Sequence, residues 1–180
     1  MLSKREIKEK YEGFLAEKNI RRDSNETTFA HSCFEKSRHN LEIASLLNIL
    51  STDASKKQAI QISPNAQYFD WVIIAAYYSM YMAATSALAK VGIKCTTHGA
   101  TVTALEYVYC VEQRVLERKY IDMIQRVELA RSDVQMVSDA MQSRVAVQYT
   151  TSTKYGAAEA KRVLKNARDF VGKISEIFEQ

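Results

Sequence analysis

Residues that break or cross-link a chain are scarce in this sequence. Its 180 residues include five glycines and one proline, Pro64. No Asn-Gly or Asp-Gly dipeptide is present to start a tight hairpin, and this excludes a β-sandwich or barrel with its many short turns. Three cysteines, Cys33, Cys95 and Cys110, are odd in number, far apart and without a Cys-x-x-Cys pair, so neither a disulfide framework nor a zinc cluster is indicated. A reducing cytoplasm is the expected home. The start, Met1 to Glu6, carries positive charge with no apolar run behind it, which is not the pattern of a secretory signal. Three histidines, His31, His39 and His98, form no His-Glu-x-x-His or paired Glu-x-x-His motif, and there is no phosphate-binding glycine loop or Gly-x-Ser-x-Gly elbow. No metal or cofactor is expected.

What the chain does contain is 47% hydrophobic and 26% charged residues with a net charge of +4. That balance suits one folded all-α domain over residues 1–180. The charge permits an anionic partner but falls well short of a nucleic-acid coat protein.

Helical periodicity accounts for most of the length. Ser3 and Glu6 form a capping box ahead of Ile7, Tyr11, Phe14 and Leu15, predicting an N-terminal accessory helix within residues 1–20. Residues 21–25 read as a connection. Asp23 and Glu26 then cap a long helix to about Leu50, with Phe34, Leu41, Ala44 and Leu47 on one face. Ser51 to Asn65, with Lys56, Lys57 and Pro64, reads as a loop. From Gln67 to Val91 runs the most apolar segment, uncharged between Asp70 and Lys90 and ending at Gly92, where a helix C-cap belongs. Its length would cross a bilayer. Its tyrosines, serines and alanines fit a helix buried on nearly all sides of a bundle better, and no membrane is expected. A fourth helix, capped by Thr96 or Thr97, carries Val102, Leu105 and Val108 or Tyr109 toward Leu116. A fifth begins near Tyr120 with Ile124, Val127, Val134, Val137 and Met141 in one stripe and ends near Tyr149 to Thr153. Ala160, Leu164, Ala167, Val171, Ile174 and Phe178 define the last. The expected architecture is an up-and-down four-helix bundle with additional short helices.

The run Tyr68-Phe69-Asp70-Trp71-Val72-Ile73-Ile74-Ala75-Ala76-Tyr77-Tyr78-Ser79-Met80-Tyr81-Met82-Ala83-Ala84, then Gly92 and Thr97-His98-Gly99, resembles the core of archaeal and bacterial HEPN domains. The C-terminal part is similar too: Arg144-Val145-Ala146-Val147-Gln148-Tyr149, a polar turn, then an alanine-rich helix ending Ala167-Arg168-Asp169-Phe170-Val171. The resemblance covers roughly residues 25–180. It implies a four-helix bundle, a homodimer with a shared cleft, and kinship with RNA-cleaving toxins paired with a minimal nucleotidyltransferase. In the catalytic branch an arginine precedes a histidine by four to six residues; the arginine holds a phosphate and the histidine serves as base, without a metal.

Here Arg144 matches the arginine, but Tyr149 stands where the histidine would. A phenol with a pKa of about 10 is a poor base at neutral pH. The resemblance therefore implies an RNA- or nucleotide-binding protein, or a nucleotidyltransferase partner, that has lost cleavage. Its binding candidates are Arg144, Gln148, Tyr149, Asp70 and Tyr77. Two alternatives stand beside it: a metal-independent endoribonuclease using Arg144 with His98 or Tyr149, and a structural dimerisation domain. His98, at the start of the fourth helix, reads as a neutral ring that hydrogen-bonds across the bundle or as a catalytic residue. Asp70 reads as a first-turn acid complementing the helix dipole. Tyr77, Tyr78 and Tyr81 fall on different faces of the central helix, with Tyr78 packed on Met82. Tyr149 and Tyr155 are the hydroxyls a partner could modify. Lys161, Lys165 and Arg168 share one face of the last helix, either a solvated face or a contact for an RNA backbone.

Overall fold

The computed structural model of the protein describes residues 2–142 and 156–179. The N-terminal helix, α1, spans Lys4–Ala16 and opens with the expected capping box: the Ser3 hydroxyl accepts from the Glu6 N–H, and the Ser3 N–H donates to the Glu6 carboxylate at 2.6 Å. Ile7 and Tyr11 are its buried residues. It stops short of Asn19, because Lys18 turns the chain with a φ of 60°.

Residues 20–22 are then not a bare connection. Ile20–Arg22 forms a short strand, β1, antiparallel to β2, Ile93–Cys95, with Ile20 opposite Cys95 and Arg22 opposite Ile93. Three residues are too few for an alternating pattern to show in sequence. Asp23 caps a 3-10 turn over Ser24–Phe29, so the long helix α2 begins only at Ala30 and ends at Thr52. The expected loop after it contains a helix as well. Asp53 accepts from the N–H groups of Ser55 and Lys56 and starts α3, Ala54–Ala59. Lys57, expected in a loop, is buried and donates from Nζ to the Pro64 carbonyl at 2.8 Å.

The central helix α4 spans Phe69–Lys90. Gly92 follows with a φ of +68°, and its N–H bonds the Ala89 carbonyl at 2.8 Å, a left-handed stop that a side chain would strain. After β2, Thr97 caps α5, His98–Leu105, by accepting from the Ala100 N–H. That helix widens into a π-helical stretch, Glu106–Glu112, which carries Val108 and Tyr109 into the core; the buried Tyr109 hydroxyl donates to the Ala87 carbonyl at 2.6 Å. Helix α6 spans Arg118–Gln142 and α7 spans Ala157–Glu179. The segment 143–155, with Arg144, Gln148, Tyr149 and Tyr155, lies outside the described residues.

Helix α4 packs against α2, α7, α6 and α5. Its contact with α2 is the most extensive, and the side chains explain why: Ala76, Ala83 and Ser79 are fully buried, small enough for the backbones to close together. Hydroxyls then reach across, Ser37 donating to the Ser79 carbonyl at 2.8 Å and Ser86 to the Ala30 carbonyl at 2.7 Å. On α7 the predicted stripe holds, with Ala160, Leu164, Ala167, Val171 and Ile174 all buried. The fold is therefore predominantly helical, with one two-stranded ladder among the described residues.

Helix α4 is not enclosed on nearly all sides, however. Trp71 is 61% exposed and Tyr78 45%, two turns apart on one outer stripe, so Tyr78 is a surface ring and not a core residue. Among the described residues α4 is the one helix long and apolar enough to cross a membrane, and two thirds of its most apolar stretch, 67%, is buried inside the fold. It is a core helix with one open edge.

Candidate functional site

Two of the residues singled out in the sequence, Tyr77 and His98, meet. The Thr97 cap makes His98 the first residue of α5, which turns its ring back toward α4. There the Tyr77 hydroxyl and His98 Nδ1 share a hydrogen bond of 3.0 Å. The imidazole also lies against Tyr81, with ring centroids 5.8 Å apart and planes within 24° of parallel. Tyr77 and Tyr81, expected on different faces, thus hold the same histidine.

Helix α6 closes the cluster. Glu128 Oε2 lies 3.9 Å from His98 Nδ1, and the Arg131 guanidinium grips the same carboxylate with two bonds of 3.1 and 3.2 Å. Arg131 in turn lies over the Tyr77 ring, 4.8 Å from its centroid, a cation held on an aromatic face. A fixed fork on a carboxylate is a strong, geometrically defined pairing. Thr101, one turn into α5, donates to the Tyr81 hydroxyl at 3.4 Å.

The electrostatics follow from this packing. Burial pushes the His98 pKa down; Glu128 opposes the fall and Arg131 adds to it, so the ring is held neutral more firmly than a free histidine. Burial alone would raise Glu128, but the Arg131 fork, His98 and the Tyr77 hydroxyl together hold it below the usual carboxylate range. Tyr77 is driven well above an ordinary phenol by burial and by the neighbouring Glu128 charge. The cluster therefore holds one anion, one cation and two neutral polar rings. With Nδ1 occupied, the imidazole nitrogen left for a ligand is Nε2, and 26% of the side chain faces solvent.

The other sequence candidates are placed differently. Asp70 sits in the first turn of α4, as expected of a dipole-complementing acid, seven residues and so two turns before Tyr77 on the same flank. Its Oδ1 is buried without a hydrogen-bond partner among the described residues, and burial raises its pKa. Arg144, Gln148 and Tyr149 lie outside the described residues. Glu128 and Arg131 were not legible as site residues. A Glu and an Arg three apart on a helix look like any surface pair, and only the docking of α6 onto α4 gives them a role. Among the described residues no three His, Cys, Asp or Glu side chains gather as a metal site.

Comparison with protein-family models, with curated proteins and with solved structures finds no match to this chain.

Proposed function

We propose that this protein is a HEPN-like domain that binds RNA or a nucleotide without cleaving it, as a homodimer in the cytoplasm and with a minimal nucleotidyltransferase as a candidate partner. In this reading α2, α4, α6 and α7 are the four helices of an up-and-down bundle, and α1, α3 and α5 are additions to it.

The observation that carries the binding function is the cluster of His98, Tyr77, Glu128 and Arg131 beside the exposed ring of Tyr78. Single-stranded bases are recognised by stacking on aromatic faces and by hydrogen bonds to their edges. Tyr78 offers an open face, 45% exposed, with its ring 5.1 Å from that of Tyr77. Glu128 can accept from an exocyclic amine, and His98 and Arg131 can serve ring nitrogens or a phosphate. The absence of cleavage is argued from the sequence, where Tyr149 takes the place of the histidine that would serve as base; His98 is stacked and hydrogen-bonded through Nδ1 within a network that also fixes Tyr77. Such a ring serves as part of a binding wall.

The test is titration of the purified protein with short single-stranded RNA and with mononucleotides, in the presence of a chelator, followed by inspection of the RNA for scission. Saturable binding that weakens in Tyr78→Ala and Arg131→Gln, with intact RNA, is the expected result. Scission that vanishes in His98→Gln or Arg144→Ala would make the protein a metal-independent ribonuclease and overturn the non-catalytic reading.

A further inference from the structure

Beside the α4 seam, α2 and α7 run antiparallel and leave a groove between them. Their direction is fixed by three contacts: Phe34 stacks on Phe178 with centroids 5.1 Å apart, Arg168 donates to the Ser45 hydroxyl at 3.1 Å, and Asn48 and Thr52 face Lys161 and Lys165. Two adjoining hollows follow this seam, of about 720 and 440 Å³, and Arg168 lines both.

The two hollows differ in chemistry along their length. The first is walled by Lys161, Arg162, Lys165 and Arg168 from α7 and by the neutral Asn48 and Thr52 from α2. Ala157 and Ala158, whose N–H groups open α7, line its end. Among the described residues no carboxylate lines this hollow; the nearest to it in sequence, Glu159, is engaged by Arg162 in a two-pronged pair. The positive end of the helix and the lysines therefore act in the same direction. Lys161, Lys165 and Arg168 stand at i, i+4 and i+7, about 6 and 4.5 Å apart along the axis, a spacing that places one cation beside each successive step of a linear polyanion. The second hollow changes character, with Leu41, Leu46 and Ile49 as apolar lining, the last two close to half exposed, and Arg38 and Glu42 beside them.

We infer that this seam is the track for the phosphate backbone of a single RNA strand, with phosphates along Lys161, Lys165 and Arg168 and a ribose or base edge over Leu46 and Ile49. The inference rests on the RNA reading above and adds to it a second contact region, on different helices from the His98 cluster. A compact anion such as one phosphate would use a single pocket. A row of cations continuing into an apolar lining fits a chain of linked phosphates with organic groups attached. The Arg168 bond to Ser45 fixes the guanidinium between the two hollows, where the strand passes from one to the other.

The experiment measures binding of a short single-stranded RNA across a salt series, with polyglutamate as a phosphate-free polyanion. The variants are the triple substitution Lys161→Gln, Lys165→Gln and Arg168→Gln, the single substitution Lys165→Glu, and Tyr78→Ala. The three cations are exposed, and unchanged circular dichroism and melting of the triple variant establish that the fold is intact. The expected result is at least a tenfold loss of RNA affinity in the triple variant, a measurable loss in Lys165→Glu, and a salt slope shallower by about 2, since each single-strand phosphate contact contributes about 0.7. If the triple variant binds as the unaltered protein does, with the same slope, while Tyr78→Ala weakens binding, the seam assignment falls and the RNA reading stands. If the triple variant abolishes binding and Tyr78→Ala leaves it unchanged, the seam stands and the His98 cluster is not the base-reading site. Polyglutamate binding as tight as RNA overturns the assignment to phosphates, and absence of RNA binding by the unaltered protein overturns both.

Discussion

Tyr77 and His98 are 21 residues apart in the chain and 3.0 Å apart at their polar atoms, a buried phenol on the central helix joined to the first residue of the next one. The contact forms because the chain reverses at Gly92, pairs back on β1 through Ile93–Cys95 and re-enters a helix at the Thr97 cap. Each step of that reversal uses a local signal. Together they set a histidine against a tyrosine that no spacing rule connects.

Replacing Tyr77 by phenylalanine tests what that bond contributes. The ring stays in place, with its stacking on Tyr81 and its face under Arg131, and only the hydroxyl is lost. His98 Nδ1 then loses its partner in a part-buried site, and a buried polar group left unsatisfied costs about 1 to 3 kcal/mol. A drop of that size in unfolding free energy by urea titration, with the slope unchanged, is the expected outcome. A loss below about 0.5 kcal/mol would mean that Nδ1 reaches water or Glu128 instead.

Acid should loosen the cluster in two stages. Burial lowers His98 from its ordinary value of 6.5, so the unfolded chain takes up a proton near that pH while the folded one resists. The histidine's contribution is therefore complete above 6.5 and declines as the pH falls toward the lowered folded value. Glu128 is lowered from 4.5, so its contribution persists above 4.5 and is lost as the pH falls through its folded value. His98→Gln should flatten the first decline in a plot of melting temperature against pH and leave the second. An identical profile in the variant would remove His98 as its source.

The parts of this architecture that were legible in sequence are those set by local periodicity and capping. The α7 stripe, the Ser3 capping box, the Thr97 cap and the Gly92 stop can each be read within a few residues, because their physics lies within one helical turn. The β1–β2 ladder could not be read, since three residues carry no period and the partners are more than 70 positions apart. Helix α3 was hidden in a polar stretch where Asp53 is the only strong signal. The site divides in the same way. His98 and Tyr77 were visible as residues of interest, but their meeting and the arrival of Glu128 and Arg131 depend on how α4, α5 and α6 pack. Trp71 and Tyr78 looked buried because their segment is apolar throughout, and only the outer edge of α4 shows which residues are left uncovered.

Gly92→Ala should be costly for a stated reason. Its φ of +68° is a conformation that a side chain strains, and an added Cβ would lie 3.3 Å from the Asp23 carbonyl oxygen. That carbonyl belongs to the residue whose N–H donates to the Gly92 oxygen at 2.8 Å, so the clash falls on the turn that brings β1 to β2. A loss of about 1 to 2 kcal/mol is expected from the backbone alone. Amide exchange at Asp23, which bonds Gly92, and at Thr96, which bonds Asn19 at the far end of the ladder, should quicken more than exchange in α7. Uniform quickening would place the effect elsewhere.

The α2–α4 seam offers a comparison between losing a bond and losing space. The Ser86 hydroxyl is fully buried and donates to the Ala30 carbonyl at the start of α2. Ser86→Ala removes the donor and keeps the small volume, so the cost should be about 1 kcal/mol. Ser86→Val keeps no donor and adds bulk where two backbones already lie close, and overpacking adds a further 1 to 3 kcal/mol. Ser37, which donates to the Ser79 carbonyl two turns away along the same seam, should rank its own pair of variants in the same order. If valine were tolerated as well as alanine at both positions, the seam would have slack, and the close approach of α2 and α4 could not be what selects serine and alanine along it. If alanine alone were as damaging as valine, the hydroxyl bonds rather than the small volume would set the spacing of the two helices.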